Sequence, residues 1–498
     1  MENKFYITTA ILYTNGKPHI GFALELVQAD ALARYHRLAG DETWFLTGTD
    51  EHGSTVVRAA EKQGKTPIQL ADEIAGLAKD LIKKLDISNN DFIRTSDQAR
   101  HWPSVIKLWN KWVENGDLYK KKYEGLYCIG HEAFIKKSEL IDGLCPLHKT
   151  EPEKIKEENW FFKVTKYKKE IRQRIESGEF KIIPGTKVKE LLNLLDDAED
   201  ISFSRPSESL SWGIPVPNDP SQTMYVWADA LTNYISALDY ANESDQFKKF
   251  WPADVHLVGK DILRFHAMIW PAMLLSAGVE LPRAIYVHGF MNVEGQKMSK
   301  TVGNIIDPIE VVEKYGVDAL RYYLLREIPS GEDGDFSYKK LEDRYNGDLA
   351  NGLGNLVQRV ATLIDTNLYG ELIYKEELIE KETSNKAEES GKSCKNNINN
   401  FKLHEALGNI WELVNFANVY IDNKKPWALK ENPEEFLKVM ANLVYCIYSI
   451  SWNLQSFLPG TSEKIFKIYE TEDRKADVPL ENSRFRIKKG GVLFPRLL

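Results

Sequence analysis

Pro18-His19-Ile20-Gly21-Phe22 and, far downstream, Lys297-Met298-Ser299-Lys300-Thr301 decide how this chain is read. The first stretch follows an apolar run, Phe5 to Leu12, that reads as a buried strand. It precedes Leu24 to Tyr35, where apolar residues recur at helical spacing until Gly40. A strand, a glycine turn and a helix N-terminus turn backbone N–H groups and the positive helix end toward one spot, where a polyphosphate can sit. His19 adds a donor there without a permanent charge. The second stretch sets two lysines around a serine, after a predicted strand (Ala284 to Val287) and a turn at Glu294-Gly295. Two ammonium groups on such a loop can neutralise charge that develops on a leaving pyrophosphate.

A chain of 498 residues exceeds what one core supports, and about three domains are expected. Strand-like and helical runs alternate through the first half, as in a parallel α/β sheet. The alternation breaks near Leu118 and resumes at Trp212-Gly213-Ile214-Pro215, with a lysine-rich segment between. After Arg326 long helical patterns dominate, including Asp348 to Leu363, Glu405 to Ile421 and Glu434 to Ser456, with no clear strand. The polar stretch Lys381 to Asn400 reads as an exposed loop between helices. The expectation is an α/β Rossmann-like parallel-sheet catalytic domain in two halves (1–118 and 210–345). A connective subdomain bearing a knuckle (119–209) is inserted between them, and an all-α helical bundle (346–498) follows. Ligands belong at the carboxyl ends of the strands, near the switch point, and His19, Asp50, Gly259, Asp261 and His288 all follow predicted strands.

Composition is that of an ordinary globular chain, 43% hydrophobic and 28% charged. No apolar run approaches the ~20 residues that span a bilayer, and Met1 to Lys4 lead straight into a strand, so a cytoplasmic protein without membrane contact is expected. A formal charge of −8 argues against a generic polyanion binder but leaves local basic patches open. Candidates are Lys120 to Lys122, Lys166 to Arg174 and Arg484 to Lys489. Four scattered cysteines make no disulfide framework. Two of them start Cys128-Ile129-Gly130-His131 and Cys145-Pro146-Leu147-His148, two ligand pairs that suit one tetrahedral Zn²⁺ with two thiolates and two imidazoles. The alternative is a degenerate knuckle held by packing. Cys394 and Cys446 read as plain thiols.

The two opening stretches resemble the His-Ile-Gly-His and Lys-Met-Ser-Lys-Ser signatures of class I aminoacyl-tRNA synthetases. The residues between them resemble the methionyl-tRNA synthetases in particular. Phe5 to Gly16 looks like that family's opening segment, Thr47 to Gly53 like the loop after its second strand, and Tyr225 to Tyr234 like the helix along its methionine pocket. Val258-Gly259-Lys260-Asp261-Ile262 resembles its ribose-binding turn and Tyr286-Val287-His288-Gly289 its pocket wall. The resemblance covers nearly the whole chain. It implies an ATP-dependent ligase that joins L-methionine to tRNA(Met), with ATP entering as its Mg²⁺ complex.

By the same resemblance His19, Gly21, Gly259, Asp261, Lys297, Ser299 and Lys300 hold ATP, with His19, Gly21, Lys297 and Lys300 acting in catalysis. Methionine falls to Ile11, Leu12, Tyr13, Asp50, Trp227, Ala230, Leu231, Tyr234 and His288. The chemistry agrees: a thioether is polarizable and favours aromatic edges, and a carboxylate such as Asp50 suits the substrate ammonium where water is excluded. Asn355 and Arg359, four apart on one helix face, would read anticodon bases while Trp427 stacks on one. The family's single knuckles usually carry Cys where His131 stands, and its second signature histidine is Phe22 here, a ring without donors. Because the chain stops where the helical domain stops, a monomer is expected. Two rivals remain open: a non-catalytic tRNA-binding paralogue, favoured only by Phe22, and a small-molecule nucleotidyltransferase, which would not need the helical domain.

Overall fold

The computed structural model describes residues 3–129, 133–146, 149–298, 303–472, 474, 478–479 and 481–497. They divide into two compact units. The first holds residues up to Ala29, Gly40–Lys83 and Ile87–His288, and the second holds Asp30–Ala39, Lys84–Asp86 and everything from Gly289 onward.

A seven-stranded sheet carries the first unit. Its order is Leu12–Tyr13, Glu42–Asp50, Lys4–Thr9, Val255–Gly259, Ala284–His288 and Lys181–Ile183, with Asp91–Arg94 also paired to Glu42–Asp50. Every pairing is parallel; Ile7, for example, faces Phe45 on one side and Val255 on the other. Phe5 to Thr9, Val255 to Gly259 and Ala284 to His288 are buried without interruption. Continuous apolar runs of this kind belong to a sheet covered on both faces. Strand order reverses between Lys4–Thr9 and Val255–Gly259, which opens a crevice at the carboxyl ends. Thr9, Asp50, Gly259 and His288 are the residues at those ends.

The helix after the first stretch is Ile20–Leu38; it starts earlier than the spacing from Leu24 predicts and takes Gly21 into its first turn. The His19 carbonyl accepts from the N–H groups of Phe22 and Ala23, which closes its first turn. His36 and Arg37 sit favourably in its last turn, and Gly40 at φ +89° ends it.

The segment expected as an insertion contains a long antiparallel ladder, Leu118–Cys128 against Glu153–Phe162, with Ala133–Ile135 and Ile201–Ser202 on its edges. Lys181–Ile183, within the same segment, pairs with Ala284–Tyr286 and so completes the central sheet. Two apolar residues, Ile182 and Ile183, were too short a run to stand out in the sequence.

The second unit is rich in helix: Val317–Arg326, Asn355–Asn367, Leu403–Lys424, Pro433–Leu454 and Pro459–Ile468. Lys381–Asn399 is a helix as well, not the expected loop. Its buried face is Thr383, Ala387, Ser390, Cys394 and Ile398, spaced for a helix but built from small side chains. Small residues let it lie close to helix Leu403–Lys424, where Ser390 Oγ donates to the Asn409 carbonyl at 2.8 Å. The helical pattern also hid a three-stranded antiparallel sheet, Glu371–Ile373, Arg484–Ile487 and Tyr469–Glu470. A fully buried ion pair, Arg321 Nη2 to Asp30 Oδ2 at 2.7 Å, sits in this unit. Arg321 also donates to the carbonyls of Phe457 and Leu85, the extra bonding such a pair needs to offset desolvation. Burial pushes the Cys394 and Cys446 thiols up to about 12, so both stay protonated. Among the described residues no helix is long and apolar enough to cross a membrane.

Candidate active site

A cavity of about 260 Å³ opens at the carboxyl ends of the first unit's strands. Ala10, Ile11 and Tyr13 enter it from the chain after Lys4–Thr9, and Asp50 from the last position of Glu42–Asp50. Trp227 and Ala230 come from the short helix Val226–Ala230, Leu231 from its C-cap, and Tyr234 from the next short helix, Asn233–Ser236. Asp261, Ile262 and His266 close the far side.

The backbone around Asp50 is held firmly. Its carbonyl accepts from the Thr14 N–H at 3.0 Å and the Thr14 hydroxyl at 3.1 Å. Glu51, wholly buried, receives Arg94 in a bidentate pair at 2.6 and 2.9 Å, with the Thr49 hydroxyl at 2.6 Å and the Ser96 hydroxyl also on it. His52 Nδ1 meets Asp229 Oδ2 at 2.6 Å, while His101 Nε2 meets Asp229 Oδ1 at 2.7 Å and His101 Nδ1 the Ser236 hydroxyl at 2.7 Å. Burial alone would raise the Asp229 carboxyl; the charges and hydrogen bonds of the two imidazoles outweigh it and hold the group below the usual carboxylate range. Asp229 lies two residues after Trp227, so one buried network ties the Asp50 strand end to the helix that carries Trp227.

Apart from the exposed Asp261, the opposite end of the cavity is neutral. His266 Nδ1 lies 3.0 Å from the Ile262 carbonyl, which can only accept, so Nδ1 carries the proton. Nε2 is then an acceptor, and the Tyr234 hydroxyl donates to it at 2.7 Å. Burial lowers the His266 imidazolium to about 4, and burial together with the charges of Glu25 and Asp50 raises the Tyr234 phenol. Neither group is charged at neutral pH. Trp227 stacks on Phe265 at 3.8 Å with 7° between the planes, and the His266 ring stands on edge to it at 85°. The result is an aromatic slot with one hydroxyl oxygen at one end and a carboxylate at the other.

Seven of the residues expected at methionine meet in this cavity: Ile11, Tyr13, Asp50, Trp227, Ala230, Leu231 and Tyr234. Leu12 does not. Successive strand residues face opposite ways, and Leu12 packs instead on Ala60, Leu70 and Ile74. His288 is not among the lining either; its Nε2 pairs with Glu25 at 2.8 Å, and burial, against that pairing, raises the Glu25 carboxyl. Tyr234 takes its imidazole from His266, which the sequence reading passed over. The signal was present: His266 stands four residues after Ile262, on the helical continuation of the Gly259-Lys260-Asp261 turn.

His19 and Gly21 sit at the start of helix Ile20–Leu38. The Gly21 N–H donates to His19 Nδ1 at 3.1 Å, which leaves the ring proton on Nε2. At Gly259 a Cβ would lie 2.8 Å from Asp261 Oδ1, so a side chain there would displace the Asp261 carboxylate. In the second unit Lys297 lies in strand Gln296–Lys297, its ammonium 5.3 Å from the centre of the Phe290 ring. Ser299 and Lys300 lie outside the described residues, as do His131 and His148. Cys128 ends its strand at 1% exposure, and Cys145 is wholly buried; neither forms a disulfide. The Cys145 N–H donates to the Thr150 carbonyl, and the Lys149 N–H to the Cys145 carbonyl. Among the described residues no three potential ligands cluster. Asn355 and Arg359 lie on helix Asn355–Asn367, and the Arg359 guanidinium rests 5.4 Å from the centre of the Trp427 ring, which is 45% exposed.

The family of class I tRNA synthetases (M) matches residues 5–154 and 135–361, and the anticodon-binding domain of tRNA ligases matches residues 380–486. The chain belongs to the class I methionyl-tRNA synthetases. Methionine–tRNA ligase of Caldanaerobacter subterraneus subsp. tengcongensis is 43% identical over all of this chain and 79% of that protein. The ligase of Thermotoga maritima is 41% identical over 96% of this chain and 77% of its own length. Among solved structures, Mycobacterium tuberculosis methionyl-tRNA synthetase in complex with methionyl-adenylate superposes with a TM-score of 0.94 at 36% identity, covering 99% of this chain and 100% of that one. The apo form of the same synthetase gives 0.87 at 32% identity, covering 100% of this chain and 99% of that one.

Proposed function

We propose that the cavity between Asp50 and the Tyr234–His266 pair holds L-methionine while its carboxylate attacks ATP. The activity is that of a methionine–tRNA ligase, with ATP and tRNA(Met) as the other substrates. In the first step a methionine carboxylate oxygen bonds to the α-phosphorus of ATP and pyrophosphate leaves, giving methionyl-adenylate. In the second, a hydroxyl of the terminal tRNA adenosine attacks the activated carbonyl. An ester forms, the anhydride bond breaks, AMP departs and the hydroxyl proton is released.

The observation that carries this reading is the polarity of the slot: a buried carboxylate at one end and a neutral aromatic wall at the other. Asp50 takes the ammonium, and Trp227 and Tyr13 flank an unbranched thioether that favours aromatic edges. The Tyr234 hydroxyl, its proton committed to His266, presents only lone pairs and a ring to the side chain. A neutral His266 matters because a charged imidazolium beside a thioether would be unpaired and costly to bury.

The remaining assignments belong to the same proposal. His19, through its Nε2–H, and Gly21 contact the ATP phosphates at the helix N-terminus. Gly259 lets the chain approach the nucleoside, and Asp261 accepts from its ribose. Lys297, Ser299 and Lys300 stabilise the pyrophosphate as it leaves, with Mg²⁺ arriving as part of the ATP substrate. Asn355 and Arg359 read anticodon bases, and Trp427 stacks on one. Cys128, His131, Cys145 and His148 would hold one Zn²⁺ whose role is to fold the knuckle; the two buried thiols and the backbone bonds of Cys145 to Lys149 and Thr150 fit such a site. Elemental analysis of protein purified without chelator tests it, and a ratio near zero with full activity would remove the metal. The enzyme is taken to be monomeric and cytoplasmic, and sedimentation equilibrium tests the first of these.

Methionine-dependent ATP–pyrophosphate exchange, followed by charging of tRNA(Met), tests the whole. No exchange with any amino acid, together with intact tRNA binding, would favour the non-catalytic reading that Phe22 suggests.

A further inference from the structure

Tyr234 closes the sulfur end of the methionine cavity, and it is held from behind. Its ring lies on the imidazole of His256, with centres 4.1 Å apart and 27° between the planes. Its carbonyl accepts from the Tyr6 hydroxyl at 2.7 Å. His256 is wholly buried in strand Val255–Gly259 and does not line the cavity, so substrate cannot touch it. Both of its ring nitrogens are engaged. Trp270 Nε1 can only donate, so His256 Nε2, at 3.3 Å, accepts. Nδ1 then carries the proton and donates to the Thr8 hydroxyl at 2.8 Å. Thr8 is the register partner of His256 in the parallel ladder, so this bond joins the two strands between which the sheet order reverses. Val255, Leu257 and Val258 on the same strand are apolar. An imidazole among them is costly to bury, and no step of the activation reading uses it.

A ring pinned at both nitrogens has one orientation, and a contact surface keeps its place only when what lies behind it is locked. An aliphatic side chain at this position would avoid the cost of burial but give Tyr234 a support that can rotate. We propose that His256 is a positioning residue for methionine recognition. It is the fixed floor that keeps the Tyr234 ring and hydroxyl at the thioether, while Tyr6 fixes the backbone of the same residue. The proposal rests on the reading of the cavity as the methionine site. It adds a residue outside the cavity that governs how well sulfur is told from a methylene, the one difference between methionine and norleucine.

The test is ATP–pyrophosphate exchange by the full chain, run with methionine and with norleucine. Rates are expressed per active site, counted from the adenylate burst at saturating methionine. His256→Asn can keep the bond to Thr8 but leaves nothing under the Tyr234 ring. It should raise the KM for methionine about fivefold, the worth of one aromatic pair, and lower the methionine-to-norleucine ratio of kcat/KM about threefold. The KM for ATP should stay within about twofold. His256→Phe restores a flat ring and should recover most of both effects. Tyr6→Phe removes only the hydroxyl that holds the Tyr234 carbonyl, and should move the same two quantities in the same direction by less. A loss of folded protein alone would reduce the number of active sites and leave both KM values and the ratio where they were, and that outcome would overturn the proposal. Equal rises in the KM for methionine and for ATP would overturn it too, as would equal losses in His256→Phe and His256→Asn. Absence of exchange in the unmodified protein would instead sink the activation reading itself, and with it this proposal, before any variant is made.

Discussion

Trp227 and Trp427 are both proposed to meet ligands, but they are held in opposite ways. Trp227 is clamped: Phe265 covers one face at 3.8 Å, and His266 meets it edge-on. Trp427 stands in the short turn Pro426–Ala428, after Lys425 at φ +44°, nearly half exposed, with the Arg359 guanidinium over its ring. Arg359 is steadied in turn by Asp422 at 2.8 Å. The contrast follows from the ligands proposed for each. A small molecule of fixed shape is selected by a preformed, mostly apolar cavity with a few placed polar groups. A splayed base needs an open plane that accepts it without rebuilding the protein. Changes at the first site should therefore disturb both the chemistry and the fold, and changes at the second only the partner.

The largest effect should come from the buried carboxylate in the clamped site, Asp50. Asp50→Asn leaves the methionine ammonium without its carboxylate in a place that excludes water. Losing one side of such a pair costs about 4 kcal/mol, or roughly a thousandfold in kcat/KM for methionine. The KM for ATP in the same exchange assay should move only a few-fold. A similar rise in both constants would mean that Asp50 shapes the whole crevice.

Next is acid sensitivity. His266 titrates at about 4 in the folded protein and near 6.5 when unfolded. Between those values the unfolded chain takes up a proton that the native state refuses, so stability is present above about pH 6.5 and falls as pH drops toward 4. The loss for this residue amounts to about 3 kcal/mol. His256, also pushed down by burial, adds in the same direction. His266→Gln should flatten the fall in urea midpoint between pH 7 and 4.5. An unchanged slope would assign the acid sensitivity to other groups.

The two sites were not equally legible. Strands and the helix after Gly21 could be read because long apolar runs and 3.6-residue spacing carry their own signal. Most of the cavity lining could be read because it flanks those strand ends. His266 escaped because its role depends on the ring nitrogen it turns to Tyr234, and sequence does not encode tautomers. His288 looked equivalent until its pairing with Glu25 became visible. Helix Lys381–Asn399 escaped for a different reason: its buried face is small and partly polar, and hydrophobic spacing is blind to close packing between small residues. Strand Lys181–Ile183 exists because a neighbour pairs with it.

At the open site Trp427→Ala should weaken charging of tRNA(Met) by roughly tenfold to a hundredfold, the value of one base–aromatic stack. Exchange should be untouched, and so should the urea midpoint, since so exposed a ring has little to contribute to the core. A drop in stability comparable to that of a buried tryptophan would erase the contrast between the two residues.

The smallest effect is expected at Phe22, where the family's second signature histidine would stand. Phe22 is 7% exposed, inside the first turn of helix Ile20–Leu38, so its ring is packed against protein. His19, one turn end away, keeps its Nδ1 on the Gly21 N–H and its proton on Nε2, a donor already directed by the backbone. An imidazole at position 22 would have to give up apolar packing and find a partner for two nitrogens, which costs about 1–2 kcal/mol of stability if none is there. Phe22→His should therefore lower the urea midpoint while changing the exchange rate by less than about threefold, or roughly 0.7 kcal/mol in the barrier. A tenfold gain in rate would show that the ATP phosphates come within reach of position 22 and that the clamped site lacks a donor it could use. The preformed cavity would then be complete for methionine and incomplete for ATP, and the division between clamped and open sites would run through the crevice itself.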